Sequence, residues 1–216
     1  MECTLAQRDT RATCLLTFLQ SSRYTALMDI YDFDGTLYRG DSTADFFKWC
    51  LRRYPRIART LPRTGVAAAA CLGLHILDKT SFKSTLYRFL PFIPDIDVEV
   101  ERFWRMHEHN IMGPCHPNMG DLIISASPEF LLRDVCARRG LELIASQVDP
   151  HTGCTLGPNC SGSEKITRLN ERYPDAVVER FFSDSHNDDP LATYAQEAFM
   201  VNIPKGTLIP WPDSKN

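Results

Sequence analysis

The chain has 216 residues, 44% of them hydrophobic and 24% charged, with a formal charge of −3 at pH 7. That is enough apolar material for one globular unit, or for a core carrying a small inserted domain. It excludes the basic footprint of a nucleic-acid partner, because Lys and Arg are scattered along a slightly acidic chain.

Residues 1–25 read as a loose extension or a mis-called start. Arg8 and Arg11 precede the apolar patch 14–19, which is too short for a membrane span and lacks a small-residue cleavage site. Met28-Asp29-Ile30-Tyr31-Asp32-Phe33 then reads as a short buried strand running into a turn at Gly35. Asp41, Ser42 and Thr43 are N-cap residue types, so a helix is expected to start there. The texture stays helical to about Asn110, with breaks at Pro55, Pro62, Pro91 and Pro94. Inside this block, residues 65–77 form the most apolar stretch, again too short to cross a bilayer. Arg56, Arg59 and Arg63 precede it. It therefore reads either as a helix packed on its neighbours or as an interfacial helix at anionic lipid.

After Gly120 the pattern alternates. Leu122-Ile123-Ile124 is a buried strand, Pro128 to about Arg139 a helix ending at Gly140, and Leu141–Ser146 a strand. Val148–Pro158 reads as a hairpin or loop, Glu164–Tyr173 as a helix and Val177–Ser183 as a strand. Pro190–Glu197 is a helix and Ala198–Asn202 a last strand. Such alternation predicts an α/β fold: a Rossmann-like, doubly wound parallel sheet covered on both faces, with an all-helical insertion above the carboxyl ends of its strands.

Eight cysteines without a C-x-x-C pair, and no secretory signal, point to reduced thiols in a cytoplasmic protein. His151, Cys154 and Cys160 fit no standard zinc spacing.

Four segments carry chemistry. Asp32-Phe33-Asp34-Gly35-Thr36-Leu37 closes an apolar strand with two carboxylates, which need compensation and together start an oxygen site for a hard cation. Ser125 ends the next strand run. It suits a phosphate cradle with the peptide N–H groups of the following turn, although Ser127-Pro128 would also make an ordinary helix cap. Lys165 sits at a helix start, where a cation opposes the helix dipole unless it faces an anion; on its own it would be a solvated surface lysine. Ser183-Asp184-Ser185-His186-Asn187-Asp188-Asp189 is either a metal-binding loop or an acidic turn capping a helix. His186 there is a general base or a solvent-exposed loop histidine.

In this order the four segments resemble the haloacid dehalogenase superfamily, over about residues 28–205. Ser125-Ala126-Ser127-Pro128-Glu129 and Ser183-Asp184-Ser185 are similar to its phosphoserine phosphatase-like branch, in which a C1-type cap follows the first motif. The resemblance divides the chain into an extension (1–25), a core (26–40 and 116–216) and a cap (41–115). It implies Asp32 as nucleophile and Asp34 as acid and base. Ser125, Ala126, Lys165 and Gly35 would hold phosphate, and Asp32, Asp34, Asp184 and Asp188 would hold Mg2+, with Asp34 acting through its carbonyl. Asp188 alternatively orients metal-bound water or Lys165, and Asp41 and Asn187 stand near the substrate. Asp41 is equally well placed as a plain helix cap. Phrases such as Leu51-Arg52-Arg53-Tyr54-Pro55 and Leu143-Ile144-Ala145-Ser146-Gln147 are similar to phosphatidylglycerophosphatase C enzymes. The implied partner is a phosphorylated small molecule or a lipid phosphate, with no transmembrane span and at most peripheral membrane contact. Transfer of the phosphoryl group to an acceptor other than water is the alternative reaction.

Overall fold

The computed structural model describes residues 27–62 and 85–212. The extension 1–25 and the apolar stretch 65–77 lie outside the described residues. So does any reading of an interfacial helix. No helix among the described residues is long and apolar enough to cross a membrane.

Strand β1 spans Leu27–Tyr31, β2 Leu122–Pro128, β3 Glu142–Ser146, β4 Val177–Ser183 and β5 Glu197–Asn202. They pair in parallel in the order β3-β2-β1-β4-β5. A sixth strand, β6 (Thr207–Pro210), pairs antiparallel to β5. The expected sheet is therefore present with one strand more than the sequence reading found. All four β6 residues are exposed, so the strand carries no buried side to read; Gly206, at φ 62°, makes the turn into it.

Adjacent residues of the inner strands go to opposite cores. Tyr31, Ile123 and Phe182 join one apolar cluster, and Ile30, Ile124 and Phe181 join the other. Period-2 side chains with both faces buried explain why these strands read as unbroken apolar runs. Helix α1 (Ser42–Arg53), helix α2 (Ile96–His107) and helix α3 (Glu129–Arg138) contribute to the first cluster. Helix α4 (Ser163–Arg172) and helix α5 (Asp189–Tyr194) cover the second.

The insertion between β1 and β2 contains α1 and α2, with 3-10 turns at Pro55–Thr60 and Tyr87–Phe92. Two of the expected proline breaks fall into place: Pro55 starts the first turn, and Pro94 directly precedes the Asp95 cap of α2. Pro91 sits inside the second turn rather than ending it. Phe46, Phe89, Phe103 and Trp104 pack in the same cluster as Leu131 and Val135 of α3, and the Trp104 indole N–H donates to the Leu131 carbonyl at 2.6 Å. Truncating one such buried aromatic costs about 3–5 kcal/mol.

The chain leaves β1 toward β2 and β3, then crosses back to β4 and β5. The reversal lies between β1 and β4, the crevice where open α/β sheets bind ligands. Asp32 follows β1 at that point, and its N–H donates to the Phe182 carbonyl of β4 at 2.8 Å.

Candidate active site

Asp32 and Lys165 meet at the mouth of this crevice. Nζ of Lys165 lies 2.7 Å from Oδ1 of Asp32 and 2.7 Å from Oδ2 of Asp188. The lysine is 1% exposed, so the surface-lysine explanation fails. Burial opposes its charge, but the Asp32 and Asp188 carboxylates outweigh that and hold its pKa above the ordinary value. Burial also pushes Asp32 up, to about 7, against the pull of Lys165. These two shifts act in opposite senses on the pair; two carboxylates 2.7 Å from one ammonium favour the ionised form.

Asp34 lies two residues on, after the chain has turned. Its Oδ1 accepts from the Ser42 N–H at 2.7 Å, and its Oδ2 accepts from the Ser127 hydroxyl. Burial and the Asp41 charge raise its pKa to about 6, against those donors. Ser127 is joined in turn by the Thr43 hydroxyl at 2.8 Å and the Ser42 hydroxyl at 3.3 Å. The first turn of α1 thus reaches the second carboxylate of the motif.

Ser125 is buried, and its Oγ accepts from the Ser127 N–H at 3.1 Å. Ser125 is still paired with Ala145, and the β2–β3 register breaks between Ser125 and Pro128, which turns Ala126 and Ser127 out of the ladder at the strand end. The ordinary-cap explanation does not hold here. Pro128 itself occupies the cap position of α3, and no side chain caps that helix. Ala126 is the partly exposed residue of the bulge.

Asp184 stands exposed at the mouth, beyond β4. What burial its carboxyl has, and the Asp188 charge, raise its pKa, while Lys165 lowers it. The carboxyl fills the space where a side chain on Gly35 would begin. Asp188 is buried and committed: it anchors Lys165 and accepts from the Ser183 hydroxyl at 2.8 Å. Of the roles named for Asp188, the contact present is the one to Lys165. Among the described residues no group of three His, Cys, Asp or Glu side chains closes on a common metal position, including the set around His151.

The remaining candidates lie further out. Asp41 is exposed and accepts from the Ala44 N–H at 2.8 Å, so the plain cap explanation describes it. Asn187 is exposed on the 3-10 turn His186–Asp188. His186 bonds to Asp189 at 3.0 Å and is largely solvated, which matches the loop-histidine alternative. Ser42, Thr43, Ser127 and Ser183, read from the sequence only as cap types or as part of a motif and not as site residues, bond to the site's carboxylates or to each other there. The signal available was the i, i+2 pair Ser125/Ser127 at a strand end, where alternate residues share a face.

The model of the haloacid dehalogenase-like hydrolases matches residues 30–193. The chain belongs to that family. A curated histidinol-phosphatase of Neisseria meningitidis serogroup C (strain 8013) is 33% identical over an alignment 102 positions long that covers 40% of this chain and 46% of the relative. The chain thus matches less than half the length of that relative. A crystal structure of a Bordetella pertussis Tohama I protein of unknown function is 18% identical, covers 81% of this chain and 89% of its own, and superposes with a TM-score of 0.64. A probable phosphoserine phosphatase from Vibrio cholerae is 14% identical, covers 81% and 55% respectively, and gives 0.53. At these identities the two structures speak for a shared fold. The comparisons do not show the likeness to phosphatidylglycerophosphatase C.

Proposed function

We propose that this hydrolase is a Mg2+-dependent phosphomonoester phosphatase working through an aspartyl-phosphate on Asp32. The observation that carries the reading is the meeting of Asp32 and Asp188 on the buried ammonium of Lys165 at the sheet's crevice, with Asp34 and Asp184 close enough to act on Asp32 and on Lys165 and Asp188 respectively.

The residues fit a divalent cation. Two carboxylates, Asp32 and Asp188, already share one lysine, and the pKa values of Asp32, Asp34 and Asp184 are raised by burial and by other carboxylates nearby. At 4 Å and an effective dielectric near 20, each like-charge pair costs about 4 kcal/mol, so a second cation is needed before a phosphate can enter. Asp32, the Asp34 carbonyl and Asp184 would hold Mg2+. Two carboxylates, a carbonyl and waters form the oxygen set that ion prefers, and they do not require a three-carboxylate cluster. Bound there, the ion would neutralise charge on the phosphoryl oxygens.

This chain's own groups supply the rest. Oδ of Asp32 attacks phosphorus and the ester P–O bond breaks. Asp34 delivers a proton to the departing oxygen, then takes one from the water that cleaves the acyl phosphate. A carboxyl raised to about 6 suits both tasks near neutrality. Lys165, held by Asp188, fixes Asp32 and offsets the incoming charge. Ser125 and the bulge at Ala126 offer a hydroxyl and peptide groups to a phosphoryl oxygen. In this reading residues 41–115 act as a C1-type cap, and Asn187 lies at the substrate's edge.

The test is phosphate release from p-nitrophenyl phosphate with Mg2+ and with EDTA. Activity is expected with Mg2+ only, and Asp32→Asn should remove it while leaving the circular dichroism spectrum unchanged. Equal activity in that variant, purified free of host phosphatase, would refute the assignment. Adding alcohols to the same assay separates hydrolysis from transfer to another acceptor.

A further inference from the structure

A cavity of about 350 Å3 opens between the turn after β1 and the end of β5. Gly35, Arg39, Gly40 and Asp184 line one part of it, and the segment from Val201 to Pro204 lines the rest. The volume is within the range of small-ligand sites.

The cavity has two oppositely charged walls that do not close on each other. Asp184 belongs to the candidate catalytic centre. Arg39 faces the same space, yet it makes no ion pair with any described carboxylate, and it is not among the charges that act on Asp184. Lys165 and Asp188, by contrast, do act on it. The backbone that carries Arg39 is fixed. Its N–H donates to the Asn110 carbonyl at 2.8 Å, and the next carbonyl, of Gly40, accepts from the Gly35 N–H at 3.0 Å. Gly40 has φ 108°, so the loop holds a shape that ordinary residues do not favour. The backbone thereby carries an exposed cationic side chain on the rim of the crevice, with no ion-pair partner among the described residues.

We propose that this cavity receives an anionic group on the substrate's leaving alcohol, and that Arg39 selects for it. The inference rests on the phosphatase reading above and names its substrate class: phosphomonoesters whose alcohol carries a carboxylate or a second phosphate a few bonds from the ester. With the phosphoryl group beside Asp32 and Lys165, such an alcohol extends past Gly35 and Asp184 toward the guanidinium. A planar guanidinium binds either anion through two hydrogen bonds. A cationic alcohol, such as that of histidinol phosphate, would be repelled at the same place.

The experiment is calorimetric binding to the full chain carrying Asp32→Asn, in Mg2+, so that no turnover is needed. The probes are glycerol 3-phosphate, 3-phosphoglycerate, in which the terminal CH2OH becomes a carboxylate, and glycerol 1,3-bisphosphate. At least one doubly anionic probe is expected to bind about tenfold or more tightly than glycerol 3-phosphate, and the better of the two identifies the anion. Adding Arg39→Ala should reduce that preference to about threefold or less, with Arg39→Lys intermediate. Arg52→Ala, on α1 and outside the cavity, removes the same charge and should leave the preference intact. No preference in the first chain, an unchanged preference after Arg39→Ala, or an equal loss with Arg52→Ala would overturn the inference. These outcomes leave the phosphatase reading to its own test, the p-nitrophenyl phosphate assay.

Discussion

The carboxyl group of Asp184 occupies the space directly above the α-carbon of Gly35. A β-carbon on Gly35 would overlap both the carboxylate oxygens and the carbon that bears them. Gly35 also has φ 76°, a left-handed conformation that side chains other than glycine's resist. The turn after the nucleophile strand and the aspartate after β4 therefore interlock, and the glycine of the first motif is required by a residue nearly 150 positions away.

From this, Gly35→Ala is expected to push Asp184 away from the crevice. Changing a residue that positions a metal ligand typically lowers affinity or activity about 10–100-fold. Forcing a non-glycine residue into this backbone region adds about 1–2 kcal/mol of instability. Mg2+ titration followed by activity, together with thermal melting, measures both. A variant whose Mg2+ requirement equals that of the parent would show that Asp184 does not hold the ion.

The buried acids also set a pH dependence. Asp34 has a folded pKa near 6, above the unfolded value of about 3.9. Between those values the folded chain binds more protons than the unfolded one, so stability falls as pH rises through that window and levels off above it. In EDTA the melting temperature should thus drop from pH 4.5 toward pH 7. Asp34→Asn removes this contribution while retaining an acceptor for Ser42 and a donor for Ser127. Its melting curve should be flatter with pH, and at pH 8 the variant should melt higher than the parent. A parent whose stability rises over this range would show that the crevice carboxylates are not penalised by burial.

Asp32 and Asp184 were readable because each directly follows a strand whose last residues are buried. Val177–Ser183 appears with the bounds expected from its apolar run, and Asp32 and Asp184 directly follow such runs. Ser127, Ser42 and Thr43 were not legible as site residues. A hydroxyl next to a helix start is the commonest of caps, and only the fold brings β2 and α1 onto the same carboxylate. Asp41 was read either as a helix cap or as a residue near the substrate, and a 2.8 Å bond to the Ala44 N–H shows that it does cap α1. The β6 hairpin escaped because an exposed four-residue edge has no apolar alternation to announce it.

The inserted helices are tied together by one buried acid. Glu99 of α2 has a side chain 1% exposed, and it accepts from the Trp49 indole at 3.1 Å, Arg53 at 2.9 Å and Arg102 at 2.7 Å. Burial alone would raise its pKa, but the donors Arg102, Trp49 and Tyr54 and the Arg53 charge hold it below the ordinary carboxylate value. The folded pKa lies under the unfolded one, so this contribution to stability is present above about pH 4.3 and is lost as pH falls through the folded value. Both arginines are nearly half exposed, and water weakens their share. Glu99→Ala is accordingly expected to cost about 1–3 kcal/mol at pH 7, mainly from the Trp49 N–H left unpaired and the loss of two charge-assisted bonds. Urea unfolding at pH 7 and at pH 3 provides the check: the difference between parent and variant should shrink at the lower pH. A cost that stays constant between the two would mean that the packing of the Glu99 side chain, and not its charge, joins α2 to α1.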